Sequence, residues 1–388
     1  MMAIGQARTS SREGLKEFLT KECKPYRDGE KSGYTLEGNQ YLRLRKFKNR
    51  DQKVGLAQVL VPRALFVSLV SVFDAHIGRL IRYLFKIRPE ALNSSANTLT
   101  YSQLVEFGTI ENARDYVVEK EVETVLRKSH TEQFDWLEAK FGLPLRKDLP
   151  AWTTFIEVTE RRNLFVHSNG VVSRQYLEVC KKNSCPILND LCVGKSLSLK
   201  GEYFLAAHEC LFEIGVKLSQ VLWRKVQPDD IQTADGSLVT VCYELLAEGR
   251  YRLARVLLDF ATETLPRYSS DEYRLTFIVN RAQAYKWLGD EEKARNILSA
   301  EDWTAKANKF KLAQMVLLDD FKAAAEFMRR IGTGEHMDMH SYREWPLFRE
   351  ARKSKEFADA FEEVFKEPLH TVMVSGEEAQ PPEKSHVN

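Results

Sequence analysis

The chain has 388 residues, 44% of them hydrophobic and 29% charged, with a formal net charge of +2. This length favours two domains, and the apolar content is sufficient for two buried cores. The charge does not indicate an obvious nucleic-acid-binding protein, although basic residues can still cluster locally. The N-terminus lacks the apolar core of a secretory signal, and no apolar run approaches the roughly 18 residues of a membrane span. We therefore expect a cytoplasmic protein with no membrane partner, whose six cysteines are reduced.

Residues 1–53 are polar and weakly periodic, and glycines at positions 29, 33 and 38 interrupt any long element. We predict a polar and basic lead-in to the first domain. Its last part, YLRLRKFKNRDQK, concentrates positive charge beside two aromatic residues. It is either an RNA-contacting patch or a solvated approach to the next helix. The candidate RNA-binding residues are Arg43, Arg45, Lys46, Lys48 and Arg50.

A series of helices is predicted from residue 54 to residue 226. Apolar residues at spacings of three and four predict a first helix over 54–88, with Pro62 at a kink or late start and Pro89 at its end. A loop over 91–100 precedes helices over 101–107, 110–128 and 131–141. His130 is expected at the surface or in a capping region. After the helix described next, a short helix over 171–182 and a long one over 198–225 complete the bundle.

The segment from Asp148 to Gly170, DLPAWTTFIEVTERRNLFVHSNG, is predicted to be one helix with both ends marked. Asp148 is a potential N-cap, Pro150 suits the first turn, and Gly170 suits a left-handed stop. At 100° per residue, three polar side chains share the arc of the apolar residues, whereas Glu157, Glu160 and Arg161 point elsewhere. Polar groups within a buried stripe need partners or a function. The three are Arg162, Asn163 and His167.

This Arg-Asn-x3-His pattern at the end of a helix resembles the signature of the HEPN superfamily. Members are all-helical domains, and many are metal-independent RNases with Arg, four to six residues, then His. The resemblance includes the flanking ERRNLFVHSNGVVSRQYL and the upstream helix LVSVFDAHIGRLIRYL, and it covers about residues 54–225. A second stretch, Arg330 to His336, also has an allowed spacing but is interrupted by glycines. It shows that the spacing alone occurs by chance within the same chain.

The resemblance implies that Arg162 and His167 are catalytic, with Asn163 in support. Histidine suits proton transfer near neutral pH, and arginine binds phosphate oxygens with a fixed charge. It also implies a homodimer in which two motifs face one cleft, and products ending in a 2′,3′-cyclic phosphate and a 5′-hydroxyl. No cofactor or metal is expected.

Two polar residues of the first long helix have two interpretations each. Asp74 either forms a local helix hydrogen bond, or it orients His167 or pairs with Arg162. His76 is either a site residue or, as we prefer, a surface or packing histidine.

The sequence gives weaker evidence for two metal sites than for the site on the Asp148–Gly170 helix. Cys180, Cys185 and Cys192, with His208 beyond them, match no common zinc spacing, so buried thiols are preferred. His336 and His340 have four-residue spacing, but nearby glycines indicate a loop.

Residues 227–236 are predicted to be a linker to a second helical domain over 237–366. NRAQAYKWLGDEEKARNIL resembles a tetratricopeptide (TPR) repeat, and a unit with Gly249, Ala254 and Ala261 precedes it. The two repeat glycines, Gly249 and Gly289, are 40 residues apart, which predicts an insertion near residues 268–274. A third unit over 307–330 lacks the glycine, and residues 342–365 are expected to cap the array. Residues 367–388 are expected to be a disordered tail.

Together these patterns predict an all-α protein, with a HEPN-like bundle followed by TPR-like repeats. The predicted function is metal-independent cleavage of RNA, with tRNA and mRNA as candidate substrates. By analogy, a protein partner on the repeats would control a toxin or antiviral defence effector. The alternative is a non-catalytic helical scaffold or RNA-binding module that dimerises through the same domain.

Overall fold

The computed structural model describes residues 2–94, 98–147, 149–187, 190–333 and 337–369. The chain divides into two compact units, Met1–Leu222 and Trp223–Asn388. The predicted all-α class is confirmed, since 73% of the chain is helical and the described strands are two short ones.

The N-terminal unit is built around one long helix, α2 (Gln40–Ile87). Its elements in chain order are α1 (Met2–Glu22), β1 (Lys24–Asp28), β2 (Lys31–Thr35), α2 (Gln40–Ile87), α3 (Tyr101–Phe107), α4 (Ile110–Leu126), α5 (His130–Phe141), α6 (Trp152–His167), α7 (Arg174–Lys182) and α8 (Gly201–Val226), the last of which continues into the second unit.

Residues 1–53, predicted to be a polar and basic lead-in, contain regular structure that the sequence analysis did not expect. This region forms α1, an antiparallel hairpin of β1 and β2, and the start of α2. The hairpin turns at Gly29, which has φ +55°, a conformation that glycine adopts without strain. Phe18 of α1 is buried, and its ring stacks on Phe47 of α2 with centroids 5.2 Å apart. These contacts attach the region to the N-terminal unit.

Helix α2 begins at Gln40, well before the predicted start at residue 54, and it continues through Pro62. Its buried side chains recur at helical spacing, as predicted, and pack against α4, α5 and α6. An aromatic cluster joins Phe73 of α2, Phe134 of α5 and Phe155 of α6, with Phe73 and Phe155 centroids 5.2 Å apart. This cluster brings the middle of α2 against α6.

By length and composition, α2 is able to cross a membrane, because an 18-residue window in it has a mean hydropathy of 1.9. The sequence analysis expected no membrane span, and this window is a single weak candidate among the described residues. The window is 22% buried inside the protein. A mostly buried core helix of a soluble protein passes the same test, but here Phe66 and Phe73 are buried while most of the window is not.

Helix α6 ends as predicted. Gly170 has φ +79°, and its N–H donates to Leu164 O at 2.9 Å. A Cβ atom at Gly170 would lie 2.8 Å from Phe165 Cε1, so this position has both a backbone and a packing reason for glycine. The helix begins at Trp152, and Pro150 lies in the preceding turn. The N-cap predicted at Asp148 falls outside the described residues.

The C-terminal unit consists of successive helix pairs. Its helices are α9 (Ile231–Ala247), α10 (Tyr251–Asp259), α11 (Asp271–Trp287), α12 (Glu291–Ser299), α13 (Asn308–Leu317), α14 (Phe321–Ile331), α15 (Met339–Glu344) and α16 (Lys355–Phe365). The predicted linker over 227–236 is wrong in its second half, since α9 begins at Ile231. The reason is Asp235, which is fully buried and bonded by Arg224 Nη2 at 2.6 Å and Ser269 N at 2.7 Å.

The repeat pattern predicted the turns within the first two helix pairs. Gly249 and Gly289 each follow the first helix of a pair, with φ of +74° and +88°. The third pair lacks this glycine, and Asp319 takes the place with φ +60°. The small residues Ala254, Ala282 and Ala294 are buried between helices, as close helix packing requires. The helix pairs are thus present, while membership of the TPR family remains a prediction.

The end of the array is closed by α15, two short 3₁₀ turns and α16. Tyr342, Phe348, Phe357 and Phe361 are fully buried and in ring contact there. This is the amphipathic covering that an end repeat needs. The tail predicted to be disordered begins within the last described residues, and residues 370–388 lie outside them.

Candidate active site

A cavity of about 440 Å³ in the N-terminal unit brings together the four residues that the sequence singled out as catalytic or supporting. Arg162, Asn163 and His167 line it from α6, and Asp74 lines it from α2. The α4–α5 connection and the start of α7 complete the lining, including Lys128, His130 and Ser173. Residues distant in sequence therefore converge on one concave site.

The predicted orientation of α6 is partly wrong. Glu157 was expected to point away from the buried side, yet its side chain is 2% exposed, and that of Arg161 is 13% exposed. Val166 falls on the predicted apolar arc at 100° per residue, yet it is 47% exposed, and His167 is exposed as well. The cause is that α6 packs on more than one side, since Tyr176 of α7 and Tyr203 of α8 both contact Glu157. Arg162 and Asn163 are half-buried at the cavity.

The guanidinium of Arg162 is held loosely. Nη2 donates to Asp74 Oδ2 at 3.4 Å, and Nη1 donates to Asn163 Oδ1 at 3.2 Å. Nε is buried and forms no hydrogen bond with the described residues. Two of the five N–H donors of the guanidinium thus form long hydrogen bonds, and the other three have no hydrogen-bond partner among the described residues. An arginine in this state can bind an anionic oxygen without first breaking a strong internal pair.

Asp74 connects Arg162 to a histidine that the sequence analysis placed at the surface. Asp74 Oδ1 is 2.8 Å from His130 Nε2, while Oδ2 accepts from Arg162. The His130 side chain is 10% exposed and its ring packs against Phe73 and Phe155. The surface interpretation of His130 is therefore wrong, although its place at the start of α5, after the N-cap Ser129, fits a capping region. Of the alternatives for Asp74, the geometry fits pairing with Arg162.

Glu160 is a further acidic group at the cavity that the sequence analysis directed elsewhere. Asn163 Nδ2 lies 3.5 Å from its Oε1. Burial raises the pKa of the Glu160 carboxyl, and the nearby His130 opposes this shift. The carboxyl groups of Asp74 and Glu160 therefore line the cavity together with Arg162.

Two further positively charged side chains also line the cavity. Arg127 and Lys128 line it and are exposed. Two helices also begin here, since the N-caps Ser129 of α5 and Ser173 of α7 both line the cavity. Helix N-termini favour anions because their peptide dipoles point the positive end outward. The sequence analysis missed these residues and helix ends because they become neighbours only in the fold.

The five candidate RNA-binding residues lie on the first part of α2 and are exposed. Arg43 differs from the rest, because it pairs with Glu22 through Nη2 at 2.8 Å and lies over the Phe18 ring. Within the part of the chain that the structure describes, Arg45, Lys46, Lys48 and Arg50 form no ion pair. None of the five lines the cavity.

The other described residues that the sequence analysis considered do not line this cavity. His76 is half-buried, with Nε2 3.0 Å from Ser219 Oγ, and burial lowers its pKa, which fits the packing interpretation. Cys180 and Cys185 are buried free thiols as expected, whereas Cys192 is exposed. His336 falls outside the described residues, and His340 is exposed on α15. Among described residues, no group of three or more His, Cys, Asp or Glu side chains is placed to hold a metal ion.

Comparison with family models, with curated proteins and with solved structures gives no match for this chain.

Proposed function

We propose that the protein is a metal-independent endoribonuclease of the HEPN type, with Arg162 and His167 as catalytic residues and Asn163 in support. The observation that carries the proposal is the single cavity lined by these three side chains and Asp74. Its chemistry suits a phosphodiester, because a loosely held guanidinium, two basic rim residues and two helix N-termini favour an anion.

The proposed reaction needs two proton transfers and no metal. The 2′-oxygen of RNA attacks the adjacent phosphorus while its proton passes to a base, and the P–O5′ bond breaks while an acid protonates the leaving oxygen. The products are a 2′,3′-cyclic phosphate and a 5′-hydroxyl end. Arg162 would stabilise the charge on the phosphorus oxygens, and His167 would transfer one of the protons.

We propose that the basic part of α2 contacts the RNA backbone outside the cavity. Support comes from the exposure of Arg45, Lys46, Lys48 and Arg50 and from their lack of ion pairs among the described residues. Arg43 is a poorer candidate, because Glu22 offsets its charge. Such contacts would be salt-dependent and independent of base sequence.

We propose a homodimer through the N-terminal unit. Helix α2 exposes Val61, Leu65 and Val72, which are 38%, 48% and 60% exposed and lie within about 40° on one helix face. An exposed apolar face of this kind favours association with a protein surface.

We also propose that a protein partner binds the helix pairs of the C-terminal unit, and that the chain acts in the cytoplasm as a regulated toxin or antiviral defence effector. The support is the arrangement of successive helix pairs, which commonly present a broad surface to other proteins. In this proposal, tRNA and mRNA are the candidate targets. Expression of the wild type should then be toxic, and His167→Ala should relieve that toxicity.

The decisive experiment is cleavage of total RNA and of tRNA in EDTA by the purified protein. Wild type should cleave, whereas Arg162→Ala and His167→Ala should each lose cleavage while retaining the wild-type circular dichroism spectrum. The chain offers matched controls in Arg330→Ala and His340→Ala, which are exposed positions in the C-terminal unit. Equal cleavage by all five proteins would refute the proposal.

A non-catalytic scaffold is the second candidate, and the Arg162–Asp74 ion pair is the observation that favours it. A pair of this kind can simply stabilise the contact between α2 and α6. In that case Arg162→Ala would lower the free energy of unfolding or change assembly, and no RNA phenotype would follow. Measuring unfolding and cleavage on the same variants separates the two functions.

A further inference from the structure

We propose that one protomer carries both proton-transfer groups of the reaction, with His130, held by Asp74, as the base and His167 as the acid. This inference rests on the proposed ribonuclease function and assigns a role to a residue outside the Arg-x4-His pattern. It also removes the need for a second protomer to supply a second histidine.

The placement of His130 is the first reason. His130 and Arg162 occupy the two oxygens of one carboxylate, since His130 Nε2 is 2.8 Å from Asp74 Oδ1 and Arg162 Nη2 bonds Oδ2. A phosphate held by Arg162 would therefore lie beside the His130–Asp74 pair. His167 lines the same cavity. The cavity thus contains the Arg162 guanidinium and two imidazoles, which matches the groups that the reaction needs.

The hydrogen bond to Asp74 is the second reason, because it determines which ring nitrogen carries the proton. A neutral imidazole that donates Nε2–H to a carboxylate has an unprotonated Nδ1. The ring is fixed by packing against Phe73 and Phe155, with centroids 6.4 Å and 5.5 Å away. A fixed tautomer in a fixed orientation, with a carboxylate to stabilise the imidazolium that forms, is the arrangement of a general base.

The third reason is the contrast with His167. This side chain is exposed at the C-terminal end of α6 and forms no hydrogen bond with any described residue. It can exchange protons directly with water. In the proposed step, the 2′-hydroxyl proton passes to His130 as the O2′–P bond forms. A proton from His167 passes to O5′ as the P–O5′ bond breaks. Solvent then restores both histidines.

The first test uses an RNA oligonucleotide containing one cleavable linkage, and a matched oligonucleotide in which sulfur replaces the 5′-bridging oxygen of that linkage. A thiolate leaves without protonation, so the sulfur substrate no longer needs the acid. We expect His130→Gln and His167→Ala each to lower cleavage of the oxygen substrate by about 10²- to 10⁴-fold. The sulfur substrate should restore cleavage by His167→Ala and should not restore it by His130→Gln.

Glutamine keeps the size and the donor of His130 but cannot take up a proton, and circular dichroism checks that the variant is folded. His340→Ala is the matched control and should cleave both substrates like wild type. Full cleavage of the oxygen substrate by folded His130→Gln would overturn this inference, while continued dependence on Arg162 and His167 would leave the proposed function intact. Rescue of His130→Gln by sulfur would overturn its assignment as the base.

The second test asks whether both histidines act within one chain. His130→Gln and His167→Ala proteins are unfolded together, refolded together and assayed. If the site lies within one protomer, the mixture stays inactive, because each chain lacks one histidine of its own cavity. Recovery of a substantial fraction of wild-type cleavage would show that the two histidines act from different protomers, and would overturn the proposal.

Discussion

Arg161 Nε donates a 2.7 Å hydrogen bond to Glu157 Oε1, and this ion pair is buried where α6 meets α7 and α8. The same carboxylate accepts from the hydroxyls of Tyr176 and Tyr203, each at 2.6 Å. The Arg161 guanidinium lies 3.8 Å from the Tyr203 ring centroid. Every group in this network is paired, so it holds the helix that carries Arg162 and His167 in place.

The Glu157→Ala variant should lose about 3–5 kcal/mol of unfolding free energy, because removing one member of a buried pair leaves Arg161 charged and unpaired. Urea unfolding followed by circular dichroism measures this. Glu17→Ala is the control, since Glu17 forms an exposed pair with Lys21 one turn away on α1 and its loss should have little effect. Similar behaviour of the two variants would show that the Glu157 network contributes little.

The Gly170→Ala variant should lower the unfolding free energy by about 1–3 kcal/mol more than Gly142→Ala does. Both glycines have positive φ, +79° and +63°, so both variants acquire backbone strain. Only Gly170 adds a clash, with Phe165 Cε1 at 2.8 Å, whereas Gly142 faces open space. Denaturant midpoints of the two variants provide the comparison, and equal losses would mean that Phe165 moves aside freely.

The Glu160→Gln variant should change the pH dependence of stability. Burial raises the pKa of this carboxyl above 4.5 in the folded protein. The stability contributed by its protonated form is therefore present below that pH and lost as pH rises through the folded pKa. Relative to wild type, the variant should gain stability as pH increases through this window. If the unfolding free energies of the two proteins differed by the same amount at every pH in this window, the expectation would be contradicted.

The Arg162→Lys variant tests geometry separately from charge. Lysine keeps the positive charge but cannot place paired N–H donors on phosphate oxygens. We expect RNA cleavage to fall by roughly 10²-fold or more, with folding unchanged. Single-turnover cleavage rates measure the effect, and Arg330→Lys is the control. A rate near that of wild type would mean that charge alone is sufficient at this position.

The Leu65→Glu variant tests the proposed dimer. Leu65 is 48% exposed, so a glutamate there should leave the monomer folded but disrupt an apolar interface on α2. Analytical ultracentrifugation should show dimer for wild type and monomer for the variant. Leu288→Glu, at another exposed leucine, should sediment like wild type. A monomeric wild type, or a variant that remains dimeric, would refute this interface.

The sequence predicted most helices of the chain, because local signals determined them. Positive-φ glycines ended α6 and separated the helices of the first two repeat pairs, and periodic apolar residues marked the buried side of α2. The hairpin of β1 and β2 was missed although Asp28-Gly29 is a hairpin signal, because the flanking strands are polar and lack alternation. The early start of α2 was missed because Phe47 is covered by α1, a contact between separate helices.

The sequence predicted the part of the candidate site that lies on α6, and it named Asp74 of α2 with two alternative roles. The sequence identified Arg162, Asn163 and His167 together, and it offered pairing with Arg162 as one role for Asp74. It could not place His130, because nothing near Ser129 in the sequence indicates that α5 begins against Asp74. The helical wheel failed for Glu157, since a wheel assumes one buried face and α6 is covered on several sides.

The continuity of α2 determines how long an RNA must be to reach both proposed contact regions. At 1.5 Å per residue, Lys46 and Asp74 are separated by roughly 42 Å along the helix axis. A dinucleotide cannot span that distance, whereas a folded RNA can. The basic segment should therefore affect only substrates that are long enough to reach it. Reversing its charges would weaken cleavage of tRNA-sized substrates and leave cleavage of a dinucleotide unchanged.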